Sequence, residues 1–238
     1  ILERHYIAGG FTHIFKRKGF EWDVVIHYIG EMQRQHSILK KMFDYISEGK
    51  LEWADMGEVY DRVVIGDKIY DYVKGVRNFI QQMVEYFPEE EEAIRKFVDL
   101  IFKANRTSKN FYLEKAMPPL MSKLMGRFMK APFLEFSRKT TLEVMQELTD
   151  NEELIKVLTA QYGDYGLPPG ESSFVMHAAV VRHYFSGGSF PIGGSGRILE
   201  TVANVQEKHQ STILTNAAVE EVMVERNVAV GVKLLDGK

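Results

Sequence analysis

The first residues with types and spacing suited to chemistry are an acid and, a few positions later, a pair of glycines. Glu3 stands at the end of a strand-like stretch, and Gly9-Gly10 follow it. In a dinucleotide-binding βαβ unit, the second strand ends on an acid that hydrogen-bonds a ribose. Glycines let the main chain approach a ligand that a Cβ would block. Taken alone, the pattern favours an ordinary strand end with a glycine turn, and a nucleotide site is the alternative.

The element that would decide between these readings is a phosphate-binding Gly-x-Gly-x-x-Gly loop, roughly 20 residues before the acid. The chain opens with Ile1-Leu2-Glu3, inside what reads as a strand end, and has no residues at that place. We therefore expect sequence upstream of Ile1 to be missing, including this loop.

Two longer blocks resemble a known family of flavoproteins. The first runs from Gly9 to Gly30 and contains Asp23-Val24-Val25-Ile26-His27 near its end. The second runs from Tyr184 to Ser195, ends with Pro191-Ile192-Gly193-Gly194-Ser195, and is followed by a helix and by Thr215 to Val222. Together they make the chain similar to FAD-dependent oxidoreductases of the phytoene desaturase, carotenoid isomerase and retinol saturase type, over essentially its whole length.

The resemblance implies FAD as the cofactor and gives roles to individual residues. The cofactor-binding residues that it implies are Glu3, Arg4, Gly9, Gly10, Thr12 and Val219. The acid would accept hydrogen bonds from the ribose, and the main chain of the valine would hold the adenine. The glycines and the threonine would approach the diphosphate, and the arginine would add positive charge beside it.

The stretch from Val24 to Tyr28 would pass near the flavin ring. Its His27 and Tyr28 are candidates for a catalytic role, although no acid–base pair in the sequence identifies itself as catalytic. A histidine such as His13 or His27 could relay protons, but an ordinary surface or core histidine is the favoured reading. Where the family usually has glycine, this chain has Val25, and a valine there is expected to crowd or shift the flavin.

These residues are expected to be positioned by an α/β fold with two parts. Residues 1–30 and 186–238 read as parts of an FAD-binding, Rossmann-like domain. Residues 31–185 read as a mainly helical substrate domain with a β-hairpin from Val59 to Val73, where Gly66-Asp67 supply the turn. Helices are predicted at Glu31 to Gly49, Lys74 to Tyr86, Ser172 to Tyr184 and Arg197 to His209. A Gly-rich loop is predicted from Gly187 to Gly196, and strands at 212–215, 219–224 and 228–235.

A Met-rich, basic segment from Lys115 to Lys139 lies within the helical part. Its apolar residues include Leu120, Met121, Leu124, Met125 and Phe128, and they are interleaved with Lys123, Arg127 and Lys130. A helix packed on the core is the favoured reading. The alternative is a membrane-facing surface or the mouth of a lipophilic tunnel, because methionine adapts to irregular apolar partners and basic residues suit anionic headgroups.

The composition narrows the classes of partner and compartment. The 238 residues contain 30 basic and 33 acidic side chains, and a net charge of −3 gives no reason to expect nucleic acid. With no cysteine there is neither a disulfide framework nor a thiolate metal site. His177 and His183 have no carboxylate at helical spacing, so no metal is expected. We expect a cytoplasmic protein and leave open peripheral membrane association and oligomerisation.

The function that the resemblance implies is hydride transfer between FAD and a C–C bond of a lipophilic polyene or isoprenoid, in desaturation or saturation. Two alternatives stay open: a flavin-assisted polyene isomerase with no net redox change, and a non-catalytic fragment that binds a lipid or a partner. Because the phosphate-binding loop would lie before Ile1, we also expect this chain alone to hold FAD with less than normal affinity.

Overall fold

The computed structural model describes residues 1–26 and 28–237, which form two compact units. Unit 1 is Ile1–Asp55 together with Ser189–Lys238, and unit 2 is Met56–Gly188. The α-helices are α1 (Ile38–Ile46), α2 (Val76–Tyr86), α3 (Glu91–Lys115), α4 (Pro119–Ser137), α5 (Thr141–Gln146), α6 (Glu152–Thr159), α7 (Phe174–Tyr184) and α8 (Gly196–Lys208). The β-strands are β1 (Ile14–Arg17), β2 (Phe20–Asp23), β3 (Ile29–Gly30), β4 (Trp53–Asp55), β5 (Val59–Ile65), β6 (Lys68–Val73), β7 (Gly188–Pro191), β8 (Val219–Glu225) and β9 (Val228–Leu234).

In unit 1 the start of the chain runs beside the segment that leads into β8. Leu2 and Leu214 form a parallel bridge. The Glu3 N–H donates to the Leu214 carbonyl at 2.8 Å, and the Ala217 N–H donates to the Glu3 carbonyl at 2.8 Å. The strand predicted at 212–215 is therefore reduced to a short parallel pairing, which fixes Glu3 beside the entrance to β8.

The other strands of unit 1 form three small sheets. β1 and β2 form an antiparallel pair, β8 and β9 form another, and β7 lies between β3 and β4. The segment from Gly187 to Gly196 was predicted to be a loop, but part of it is a strand, because Trp53 to Asp55 pair with Pro191 to Ser189. Strands of three and four residues are too short for an alternating pattern to reveal them.

Helix α1 was predicted to begin at Glu31, but it begins at Ile38. Glu31 has a φ of +67°, which is outside the helical region. The true cap is Ser37, whose Oγ accepts a hydrogen bond from the Lys40 N–H at 3.4 Å. The Ser37 hydroxyl in turn donates to the Glu31 carboxylate at 3.0 Å, so this acid contacts the cap and does not start the helix.

Unit 2 is a helical body that carries the β5–β6 hairpin. The predicted hairpin is confirmed, since β5 and β6 pair antiparallel from Val59 with Val73 to Ile65 with Lys68. Its buried side consists of tyrosines, and the helices add aromatic and aliphatic side chains to the same core. The most deeply buried large side chains of this core include Tyr60, Tyr72, Phe79, Ile94, Phe97, Ile101 and Phe174.

α3 and α4 are neighbours in unit 2, and the Met-rich segment lies on α4. The favoured reading of that segment as a helix packed on the core is wrong for its large apolar residues from Leu120 to Phe128, whereas Phe136 near its end is buried. Leu120, Leu124 and Phe128 are exposed, whereas Gly126 on the same helix is buried. None of the described helices combines the length and apolar composition needed to cross a bilayer.

His177 lies in the core of unit 2 with both ring nitrogens in hydrogen bonds. Nε2 is 3.0 Å from the Leu158 carbonyl oxygen, so it carries the proton and donates. Nδ1 then accepts from the Tyr165 hydroxyl at 3.1 Å. Burial lowers the pKa of His177 to about 4. The imidazole is therefore neutral near pH 7 and links α7 to the end of α6 and the turn after it.

Candidate cofactor site

The glycine pair near the start of the chain forms a tight turn. Gly9 has a φ of +105° and Gly10 a φ of +53°, and both values lie in the region that favours glycine. The Thr12 N–H donates to the Gly9 carbonyl at 3.0 Å, and the Thr12 hydroxyl donates to the same oxygen at 2.8 Å. The turn is thereby closed on itself through Thr12.

The two glycines differ in what a side chain would meet. A Cβ on Gly9 would lie 3.0 Å from Thr12 Oγ1 and 3.2 Å from Leu199 Cδ2 of α8. A Cβ on Gly10 would have none of the described heavy atoms within 4 Å. Packing against α8 thus explains glycine at position 9, while a side chain at position 10 would extend into open space.

The two blocks that carried the family resemblance meet at the start of α8. The Asp23 carboxylate accepts a hydrogen bond from the Ser195 N–H at 2.7 Å. The Ser195 side chain is buried and its hydroxyl donates to the Thr12 carbonyl at 3.2 Å. A residue at the end of β2 and the glycine turn are therefore both tied to the Gly193-Gly194-Ser195 turn.

The Asp23–Ser195 contact has an electrostatic consequence for α8. The first N–H groups of a helix lack partners within the helix and carry partial positive charge, which favours an anion there. Asp23 supplies that anion from within the chain. Sequence reasoning missed this contact because the two residues are 172 positions apart, and no local pattern pairs them.

The residues assigned to the adenosine part of FAD lie on neighbouring segments. Glu3 is half-buried, and its carboxylate accepts a hydrogen bond from the His5 N–H at 2.8 Å. Val219 begins β8, two positions after the Ala217 that is hydrogen-bonded to Glu3. The structure therefore brings together the parts of the chain that hold these two residues.

The remaining candidates are distributed around the same unit. Arg4 is exposed, Tyr28 is half-buried, and Val25 is 43% exposed. His27 lies outside the described residues. His13 has its Nδ1 2.5 Å from the Gly10 carbonyl oxygen, a contact that ties its ring to the glycine turn.

The chain is similar in sequence to several known proteins. No family model matches the chain. The chain is 36% identical over 233 residues to the all-trans-retinol 13,14-reductase of Homo sapiens, an alignment that covers 94% of this chain and 38% of the relative. It is 30% identical to an inactive all-trans-retinol 13,14-reductase of Danio rerio, with 100% and 40% covered. It is 25% identical to the chloroplastic prolycopene isomerase 1 of an Oncidium hybrid cultivar, with 100% and 42% covered.

These matches extend over nearly all of this chain but only part of each relative. The chain spans about two fifths of the length of the curated relatives it matches. The family resemblance predicted from the two sequence blocks is confirmed by these relatives.

A solved structure supports the fold. An oxidoreductase from Methanosarcina mazei is similar with a TM-score of 0.63 and 16% sequence identity, over 99% of this chain and 49% of that one. A likeness at this level of identity concerns the fold alone, and it confirms the predicted α/β class.

Proposed function

We propose that this chain, a homologue of retinol 13,14-reductases and prolycopene isomerases, is part of an FAD-dependent oxidoreductase that acts on C–C bonds of a lipophilic polyene or isoprenoid. The observation that carries the proposal is the glycine turn. A side chain at Gly10 would extend into open space, so the turn has room for a ligand there, and the turn lies within a block that resembles the family and is tied to the second block through Ser195.

FAD fits the residues around this turn. Glu3 would accept hydrogen bonds from the ribose, and the main chain of Val219 would contact the adenine. The main chain of Gly10 and the charge of Arg4 would face the diphosphate. The Thr12 hydroxyl donates to Gly9 in this structure, so it would have to rotate before it could donate to a phosphate.

We also propose a role for each of the two parts of the chain. Residues 1–30 and 186–238 would contribute to FAD binding, and residues 31–185 would contribute to substrate binding. FAD supplies hydride transfer when bound, and the protein orients the polyene and keeps water away from it. Val25 would lie close to the flavin, in a place where the family usually has glycine. We assign a proton-transfer role to no described side chain. Tyr28 stays a candidate for a catalytic role.

Two alternatives each have one observation in their support. A flavin-assisted isomerase is supported by the prolycopene isomerase relatives, although their identity of 25% is lower than that of the reductases. A non-catalytic role is supported by the Danio rerio relative that is named inactive. We propose a cytoplasmic location for the protein, and leave its oligomeric state open.

The cofactor assignment is tested by flavin retention in the full-length protein. Glu3→Ala removes a charge-assisted hydrogen bond to the ribose, which is worth roughly 1.5–3 kcal/mol. We expect the dissociation constant for FAD to rise by about tenfold to a hundredfold. The matched control is Glu21→Ala, which removes an exposed acid paired with Lys16 at 3.1 Å in the same unit. Equal FAD affinity in Glu3→Ala and wild type, with equal melting temperatures, would remove the assignment.

A further inference from the structure

The solvent side of α4 carries a stripe of large apolar side chains. Leu120 is 71% exposed, Leu124 69% and Phe128 80%, and Met121 and Met125 are about half exposed. Residues four apart on a helix lie on the same face, so these side chains form one continuous strip. Tyr112 and Leu113 at the end of α3 are exposed as well. We call these seven residues the α3–α4 surface.

Basic residues outnumber acids in the sequence around this surface. Between positions 100 and 137 the basic residues are Lys103, Arg106, Lys109, Lys115, Lys123, Arg127 and Lys130, and the acids are Glu114 and the exposed Glu135. Lys123 and Arg127 are exposed and follow one edge of the apolar strip. Because the whole chain has a net charge of −3, the positive charge is concentrated at this place.

One of these two acids, Glu114, is turned inward. Glu114 is 2% exposed and lies 2.9 Å from Lys130 Nζ, and the Ser122 hydroxyl donates to it. These two contacts, first Ser122 and then Lys130, hold the pKa of Glu114 below its usual range. Its charge is therefore neutralised between the helices and does not offset the exposed basic residues.

We propose that the α3–α4 surface docks on an anionic membrane surface. The apolar strip would enter the boundary between headgroups and acyl chains, and Lys123 and Arg127 would lie at the lipid phosphates. A second copy of the chain fits less well, because two such surfaces would bring like charges together in a contact poor in water. An anionic bilayer matches both the apolar strip and the charge. This inference is independent of the flavin site.

Flotation of the full-length protein with lipid vesicles tests the proposal. One vesicle type contains phosphatidylcholine alone, and the other contains phosphatidylcholine mixed with phosphatidylserine. We expect the protein to float with the anionic vesicles, to float far less with the neutral ones, and to be released by high salt. Leu124→Ser with Phe128→Ser, and separately Lys123→Glu with Arg127→Glu, should each lower the bound fraction at least severalfold.

Matched control variants change the same residue types on another helix or strand. Ile38→Ser with Tyr45→Ser alters exposed apolar residues of α1, and Arg17→Glu with Lys41→Glu alters exposed basic residues. Both controls should bind as the wild type does. The comparison uses only variants whose melting temperature equals that of the wild type. Three results would overturn the proposal: no binding to either vesicle, equal binding to both, or binding that survives both surface variants. A dimer in solution that these variants convert to a monomer, without vesicle binding, would assign the surface to a second copy.

Discussion

At the scale of single residues, the two glycines of the turn have different tasks. Gly9 lies against Leu199 of α8, while a side chain at Gly10 would extend into open space. Asparagine tolerates a left-handed conformation near the φ of Gly10, so it adds a side chain there at small conformational cost. This difference separates a packing role from a ligand-binding role.

Gly10→Asn is expected to weaken FAD binding with little effect on stability. The added side chain would occupy the space proposed for the diphosphate, and we expect a roughly tenfold or greater rise in the FAD dissociation constant, about 1.4 kcal/mol. Gly9→Asn is the matched variant and should instead lower stability by roughly 2–3 kcal/mol, because it adds strain and a clash. Thermal melting and FAD titration of both variants give the comparison. Unchanged FAD affinity in Gly10→Asn would contradict the proposed position of the diphosphate.

His177 should make the stability of the protein depend on pH. Its pKa is lowered to about 4 in the folded state and is about 6.5 in an unfolded chain. The unfolded state therefore binds the proton first, so the full stabilisation is present above pH 6.5 and is lost as the pH falls toward 4. The loss amounts to roughly 3 kcal/mol.

The measurement is the free energy of unfolding between pH 7.5 and pH 4 for wild type and His177→Gln. Glutamine cannot titrate, and its amide can replace part of the hydrogen bonding to Leu158 and Tyr165. The variant should lose most of the pH dependence in this range, while His209→Gln, at an exposed histidine, should keep it. Parallel curves for His177→Gln and wild type would show that this imidazole does not govern the acid stability.

At the scale of elements, local signals predicted some parts of the fold well. The β5–β6 hairpin follows from Gly66-Asp67, and α8 was predicted at Arg197 to His209 and lies at Gly196–Lys208. These elements are set by residues close in sequence. The strand β7 depends on a distant segment, because Trp53 to Asp55 of β4 pair with Pro191 to Ser189, so no local pattern revealed it. The late start of α1 is set locally by the Ser37 cap and the positive φ of Glu31, which the apolar pattern of the helix did not show.

The orientation of α4 shows the same limit. Apolar residues occur on more than one side of this helix, so its hydrophobic pattern did not show which side is buried. The structure buries the side with Gly126, whose missing Cβ would lie 2.9 Å from Glu114 Oε1. The same limit applies to the candidate site. Gly9 and Gly10 were predicted from the local motif, but the Asp23–Ser195 contact was not.

Gly126 of α4 leaves room for the Glu114 carboxylate of α3, which Ser122 and Lys130 hold in place. Gly126→Ala should destabilise the protein by about 1–2 kcal/mol, because overpacking typically costs 1–3 kcal/mol and alanine recovers up to about 1 kcal/mol of helix propensity. Gly163→Ala is the control, since its Cβ would meet no described atom within 4 Å. Chemical denaturation of both variants measures the difference. A Gly126→Ala protein as stable as wild type would show that the Glu114 carboxylate can move aside without cost.

At the scale of the whole molecule, unit 1 joins both ends of the chain around one glycine turn. Thr12 before β1 and Asp23 at the end of β2 both contact Ser195 at the start of α8. The relatives that match across the chain are named as reductases of retinol and isomerases of prolycopene. Both names concern polyenes, and they differ in whether the substrate changes its oxidation state.

The most direct test of the proposed function follows the flavin and the polyene in one experiment. The full-length protein, loaded with FAD and reduced by light without oxygen, is mixed with all-trans-retinol. We predict that the visible flavin absorbance returns as a product with one double bond fewer appears in equal amount, because the reduced flavin gives a hydride to one carbon and the other carbon takes up a proton. A changed double-bond geometry with the flavin still reduced would indicate an isomerase. Retinol that binds and stays unchanged would contradict catalysis on this substrate.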